Sequence, residues 1–205
     1  MKIILNSLTF LLFVGLTISC SSDSDSQTNV VTPKCTPIPC LNGGVSTSNC
    51  GCTCPQGFSG ANCSTQITPS KITITKIRVK KFPNLKPNGN NWDTFVLPGF
   101  ERPDIYPELA NFDGTTILFS GTPIDDSFSY GNDTFDFIPT TPIIITNLTN
   151  QYRLVLNDKD ANNTFEPMGG FTINLYSSTG GFPTTIAISN PTSLYGFELT
   201  VSYTW

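Results

Sequence analysis

From Lys71 onward, apolar and polar side chains alternate at a spacing of two. Phe197, Leu199, Val201, Tyr203 and Trp205 do so without a break, and Tyr152, Leu154 and Leu156, then Phe171, Ile173 and Leu175, repeat the pattern. In an extended chain every second side chain points to the same face, so each run predicts a strand with one buried and one solvated side. Gly, Pro, Asn and Asp separate the runs, and these residues close turns. The alternation predicts eight strands, at 72–80, 104–110, 115–120, 134–138, 151–157, 170–176, 184–189 and 196–205, with a candidate ninth at 143–146. Eight short strands over 71–205 are the content of an eight-stranded antiparallel β-sandwich.

The first 70 residues show no such alternation. Met1 and Lys2 lead into the apolar stretch 8–18, charge first and hydrophobe second, as in a secretory leader. The stretch is too short and too early to span a membrane as a helix. It ends Leu16-Thr17-Ile18-Ser19-Cys20, which resembles the lipobox of bacterial lipoproteins. That resemblance implies removal of residues 1–19 and lipidation of Cys20, making the protein's own membrane a partner through the anchor. An ordinary secretory signal that ends in cysteine is the plainer alternative. Ser21-Ser22-Asp23-Ser24-Asp25-Ser26 follows, polar and acidic with nothing to bury, so 20–34 reads as a flexible tether. The run resembles the surface-export signal of Bacteroidetes lipoproteins, which implies an outer-membrane protein on the extracellular face of the cell; a plain periplasmic spacer is the alternative.

Seven cysteines are an odd number, and setting Cys20 aside for lipid leaves six between Cys35 and Cys63. An exported chain meets an oxidising compartment in which all six can pair. About thirty residues bury too little apolar surface to fold unaided, so disulfides worth roughly 2–4 kcal/mol each must supply most of the stability of 35–63. The cysteine count alone leaves the pairing open. The Cys40-Leu41-Asn42-Gly43-Gly44 turn and the Cys54-Pro55-Gln56-Gly57-Phe58-Ser59-Gly60-Ala61-Asn62-Cys63 ending resemble an EGF-like domain. The resemblance implies the pairs Cys35 with Cys50, Cys40 with Cys52, and Cys54 with Cys63. Calcium-binding members of that family carry acids just before the first cysteine, where this chain reads Val30-Val31-Thr32-Pro33-Lys34, so calcium is not expected in the module. A zinc ribbon would need CxxC pairs, which are missing. Residues 64–70 read as a linker.

Composition narrows the chemistry. Only 13% of residues are charged, and 15 acids against 11 bases give a net charge of −4, not the excess of base that nucleic-acid binding needs. The chain has no histidine, which removes Ser-His-Asp and Cys-His catalysis, most catalytic zinc sites and any histidine pH switch. Carboxylates are the candidates left, and no substrate cleft is readable among them. The expectation is a binding protein and not an enzyme.

Asp158-Lys159-Asp160 follows the strand at 151–157, Glu166 comes six residues after Asp160, and Gly169 opens the next strand. Three carboxylates around one loop supply the oxygen that a hard cation such as calcium requires, although Asp-rich turns also form for purely local reasons. The segment resembles the third calcium loop of the calcium-and-lipid-binding β-sandwich of protein kinase C and synaptotagmin, the C-two domain, with Asp158, Asp160 and Glu166 at its acidic positions. In the family's partner loop an aspartate opens a strand, and Asp104-Ile105-Tyr106-Pro107 stands at the matching place. Asp93, in Asn91-Trp92-Asp93, is the nearest candidate for that loop's other acid. The strand at 71–81 and Thr134-Phe135-Asp136-Phe137 resemble other family segments, so the likeness covers nearly all of 71–205. It implies calcium as the cofactor, held by Asp93, Asp104, Asp158, Asp160 and Glu166.

Phe95, Leu97 and Phe100 form an apolar tip beside these acids. Covering the end of the core is the expected role, and a protein, glycan or lipid ligand at the calcium loops is the alternative. Lys76, Arg78 and Lys80 share one face of a strand whose Ile77 and Val79 turn inward. Edge strands carry such bases to prevent sheet-to-sheet pairing, which is the expected reason, ahead of contact with anionic lipid. Asp125, Asp126 and Asp133 read as a solvated loop. Together these readings describe a surface-anchored lipoprotein whose calcium-dependent sandwich serves binding or adhesion. The alternative is a calcium-independent scaffold or accessory subunit of an outer-membrane complex. A hydrolase using Asp158 and Glu166 as acid and base is more distant.

Overall fold

The structure, a computed structural model, describes residues 35–93, 102–160 and 164–205. The leader, Cys20 and the tether lie outside the described residues, as do Phe95, Leu97 and Phe100.

In the cysteine-rich module β1 (Val45–Ser46) pairs with β2 (Cys52–Thr53), and β3 (Phe58–Ser59) with β4 (Thr65–Gln66). Ladders two residues long have no stability of their own. Disulfides Cys35–Cys50, Cys40–Cys52 and Cys54–Cys63 hold the module together, and Cys63 is fully buried.

The alternating runs beyond it form β5 (Lys71–Lys81), β6 (Ile105–Asn111), β7 (Ile117–Ser120), β8 (Phe135–Phe137), β9 (Ile143–Ile145), β10 (Gln151–Lys159), β11 (Phe165–Asn174), β12 (Thr185–Ile188) and β13 (Gly196–Thr204). One sheet has the order β11-β10-β6-β7; the other runs β12-β13-β5-β8, with β9 also on β5, and every pairing is antiparallel. The fold is a disulfide-rich module followed by a β-sandwich. The candidate strand at 143–146 is β9, which brings the sandwich to nine strands among the described residues. Between the sheets, Ile72, Ile74, Ile77 and Val79 of β5 meet Leu109, Leu154 and Leu156, beside Phe197, Leu199 and Val201. The inward phase of β5 slips by one residue between Ile74 and Ile77, because a bulge at Thr75 faces the Thr200–Val201 step of β13.

Strand β5 is central, not an edge, so shielding an edge is not what its bases do. They form cross-strand ion pairs. Arg78 Nη2 donates to Asp136 at 2.9 Å and Lys76 to the same carboxylate at 3.2 Å, while Lys80 and Arg78 reach Glu198 at 3.4 and 3.7 Å. Hydrogen bonding from Arg78 draws the Asp136 carboxyl down to about 2.

The segment 64–70 is built into a seam between module and sandwich. Gln66 Nε2 donates to the Ser177 carbonyl at 2.7 Å and to the Tyr176 hydroxyl at 3.1 Å, and its Oε1 accepts from Gly181 N–H at 2.9 Å. Trp205 Nε1 donates to the Ile67 carbonyl at 3.1 Å. Phe182 packs edge-on against Phe58, Tyr203 and Trp205, with centroids 5.2, 5.2 and 4.8 Å away. Gly57, at φ +89°, lets this happen: a Cβ there would stand 2.4 Å from Phe182 and 2.5 Å from Trp205. The seam lies where β5 begins and β11 and β13 end. The segment 82–93 after β5, the end of β10 and the start of β11 lie at the opposite end, about 35 Å away along an eleven-residue strand.

Candidate metal centre

Strand β10 turns Tyr152, Leu154 and Leu156 toward the core, and Asp158 continues the same series. A carboxylate therefore occupies the last inward position of the strand, with none of its surface exposed. Its Oδ1 accepts the Asp104 N–H at 2.8 Å, and its Oδ2 has no hydrogen-bond partner among the described residues. A buried carboxylate oxygen without a partner is costly, and a bound cation is one way to offset that cost.

Two further aspartates converge on it. Asp93, Asp158 and Asp160 each offer an oxygen, and the three lie within 4.8 Å of one another. Two oxygens bound to one calcium ion can be up to about 5 Å apart, so these three are close enough together that they could hold a metal ion. Asp93 follows Trp92, a buried core residue whose Nε1 is fixed on the Pro83 carbonyl at 2.9 Å. Asp160 follows β10 directly, its N–H donating to the Thr164 carbonyl and its carboxylate accepting the Thr164 hydroxyl, both at 3.0 Å.

The other two acids stand beside the cluster. Asp104 turns an oxygen to the Asp126 N–H at 2.8 Å, and its own carbonyl accepts from Lys159 N–H at 3.1 Å. Asp126 thus contributes its backbone, with φ +49°, to holding Asp104. Glu166 is the direct cross-strand partner of Asp158, so both lie within the strands of the β10–β11 hairpin and not in the loop between them. Its carboxylate faces the ammonium of Lys86 without forming a well-angled hydrogen bond, so the pairing is electrostatic. In the sequence Lys86 stands out as the sole base between Phe82 and Asp93, and no local pattern ties it to Glu166.

Burial, then repulsion from Asp158, Asp104 and Asp160, pushes the Asp93 carboxyl up to about 7. Burial raises Asp158 to about 6, helped by Asp160, Glu166 and Asp104 and opposed by the Asp104 N–H. Asp104 is also raised, by burial and by Asp125 and Asp126. A divalent cation reverses this order of preference, because it favours the ionised form of every carboxylate around it.

An aromatic pair flanks the same end. Ser127 N–H donates to the Pro103 carbonyl at 2.8 Å, and Ser129 N–H to Asn84 Oδ1 at 2.8 Å, so alternate residues of this loop are clamped inward. Phe128 and Tyr130 point out, stacked 6.4 Å apart and 39% and 75% exposed, with the Arg102 guanidinium 4.7 Å from the Phe128 ring. No protein-family model matches the chain, and no curated protein matches it significantly.

Proposed function

We propose that the chain is a surface-anchored lipoprotein whose sandwich binds calcium at Asp93, Asp158 and Asp160 and uses that end for binding or adhesion. The observation that carries the reading is the buried Oδ2 of Asp158, without a hydrogen-bond partner among the described residues, within a three-aspartate cluster. The donor set is hard oxygen throughout, with no nitrogen or sulfur, which suits calcium over zinc or copper. Asp104 and Glu166 border the cluster and add negative charge. The bound ion would supply the positive charge that lets these carboxylates ionise together. The resemblance of residues 1–19 and Cys20 to a lipoprotein signal supports membrane anchoring, and that of 35–63 supports an EGF-like spacer. Clamped outward beside the cluster, Phe128 and Tyr130 offer the surface for a protein, glycan or lipid partner.

Calcium titration by calorimetry, with melting followed in parallel, tests the reading. Saturable heat is expected, with stabilisation of about 2.7 kcal/mol at a hundredfold excess over Kd. Asp158→Asn keeps an acceptor for the Asp104 N–H while removing the buried charge. It is therefore expected to melt no lower than the metal-free wild type and to lose the calcium response. A full calcium response in that variant would show the site to be elsewhere. The aromatic seam favours a second reading, a calcium-independent scaffold, because it fixes module and sandwich as one body.

A further inference from the structure

Lys86 is attached to both halves of the acidic end. Its ammonium pairs with Glu166 on β11 and lies 5.6 Å from the centroid of the Trp92 ring, the residue before Asp93. A turn fixes its backbone, with Lys86 N–H donating to the Asn90 carbonyl at 2.8 Å and Gly89 N–H to the Lys86 carbonyl at 2.9 Å. The side chain is only 23% exposed, so the charge is held in place. Glu166 shares a cross-strand position with Asp158, yet it is outside the cluster formed by Asp93, Asp158 and Asp160.

We propose that Lys86 is an internal competitor for the metal. In the metal-free protein its ammonium holds Glu166 and supplies positive charge at the edge of the cluster; calcium takes over that role, and Glu166 is released toward the ion. The inference rests on the calcium reading. It follows from electrostatics: a fixed cation beside a crowd of carboxylates stabilises their empty state and lowers their affinity for another cation. A purely structural role predicts the opposite sign. If Lys86 only strapped 82–93 to β11, its loss would loosen Asp93 and weaken binding.

The test is calcium calorimetry on the full-length protein and on Lys86→Met, which keeps the apolar stem on Trp92 and removes the charge. Lys86→Met is expected to bind calcium about tenfold more tightly and to melt lower without calcium. Glu166→Gln is expected to change affinity less than about twofold in the wild type but several-fold in the Lys86→Met background, where Glu166 is free. Trp92 gives an independent readout. In a Trp205→Phe background, calcium is expected to shift its emission as the ammonium leaves the ring, and Lys86→Met is expected to abolish that shift. Unchanged or weaker binding by Lys86→Met, with wild-type binding intact, overturns the inference and leaves the calcium reading standing. Absence of heat in both proteins overturns both.

Discussion

At the scale of single residues, the raised carboxyls of Asp93 and Asp158 turn into a dependence of stability on pH. Each holds its proton more tightly in the folded protein, at about 7 and about 6, than in the unfolded chain, where carboxyls titrate near about 4. The folded state therefore binds more protons between those values. Its metal-free stability is unpenalised below about pH 4 and declines as pH rises through 6 and 7. On the calcium reading the ion needs the ionised carboxylates, so its affinity is expected to rise over the same interval. Melting in chelator is expected to fall from about pH 5 to about pH 7.5, with the fall lessened in Asp93→Asn and flattened by excess calcium. A metal-free melting temperature that climbs across this range would contradict the assignment. Asp136 has the opposite sign: its lowered carboxyl contributes stability above about pH 4 that is lost as pH falls toward about 2.

At the scale of elements, the β10–β11 hairpin decides where the acids sit. Gly170 faces Val155 in its ladder, and a Cβ there would be 2.1 Å from the Leu154 carbonyl oxygen and 2.7 Å from Val155 Cα. Backbone cannot yield as a flexible side chain can. Gly170→Ala is expected to cost about 1–3 kcal/mol in denaturant unfolding and to weaken calcium binding, because the same ladder sets Asp158. The strands themselves were legible, since period-two runs such as Phe197 to Tyr203 survive any choice of boundary. The ends of this hairpin were not. Asn157, Asp158 and Asp160 are turn-formers by local preference, so local pattern ends the strand at Asn157, whereas cross-strand pairing extends it to Lys159. Of the five acids read as ligands, Asp93, Asp158 and Asp160 converge. That Asp104 faces Asp126 and Glu166 faces Lys86 depends on contacts between distant segments, which no local pattern records. The bases of β5 were legible as a stripe but not as members of a central strand, because sheet order is a property of the whole topology.

For the whole molecule, the aromatic seam sets how the two parts behave together. Aromatic pairs contribute about 0.5–1.5 kcal/mol each beyond their burial, and Phe182 makes three. Phe182→Ala is expected to lower the melting temperature and to let the module reorient, seen as a larger radius of gyration in solution scattering; Gly57→Val should do the same by wedging the seam open. An unchanged scattering profile in both variants would mean that the disulfide module is held by the chain alone. The seam and the acidic cluster also lie at opposite ends of β5, and this has a mechanical consequence. A load applied at the cluster and resisted at the module runs along β5 and β13, parallel to the strands. Their hydrogen bonds are then strained together in shear and not unzipped one at a time, so a sandwich pulled between these two ends would yield only at high force.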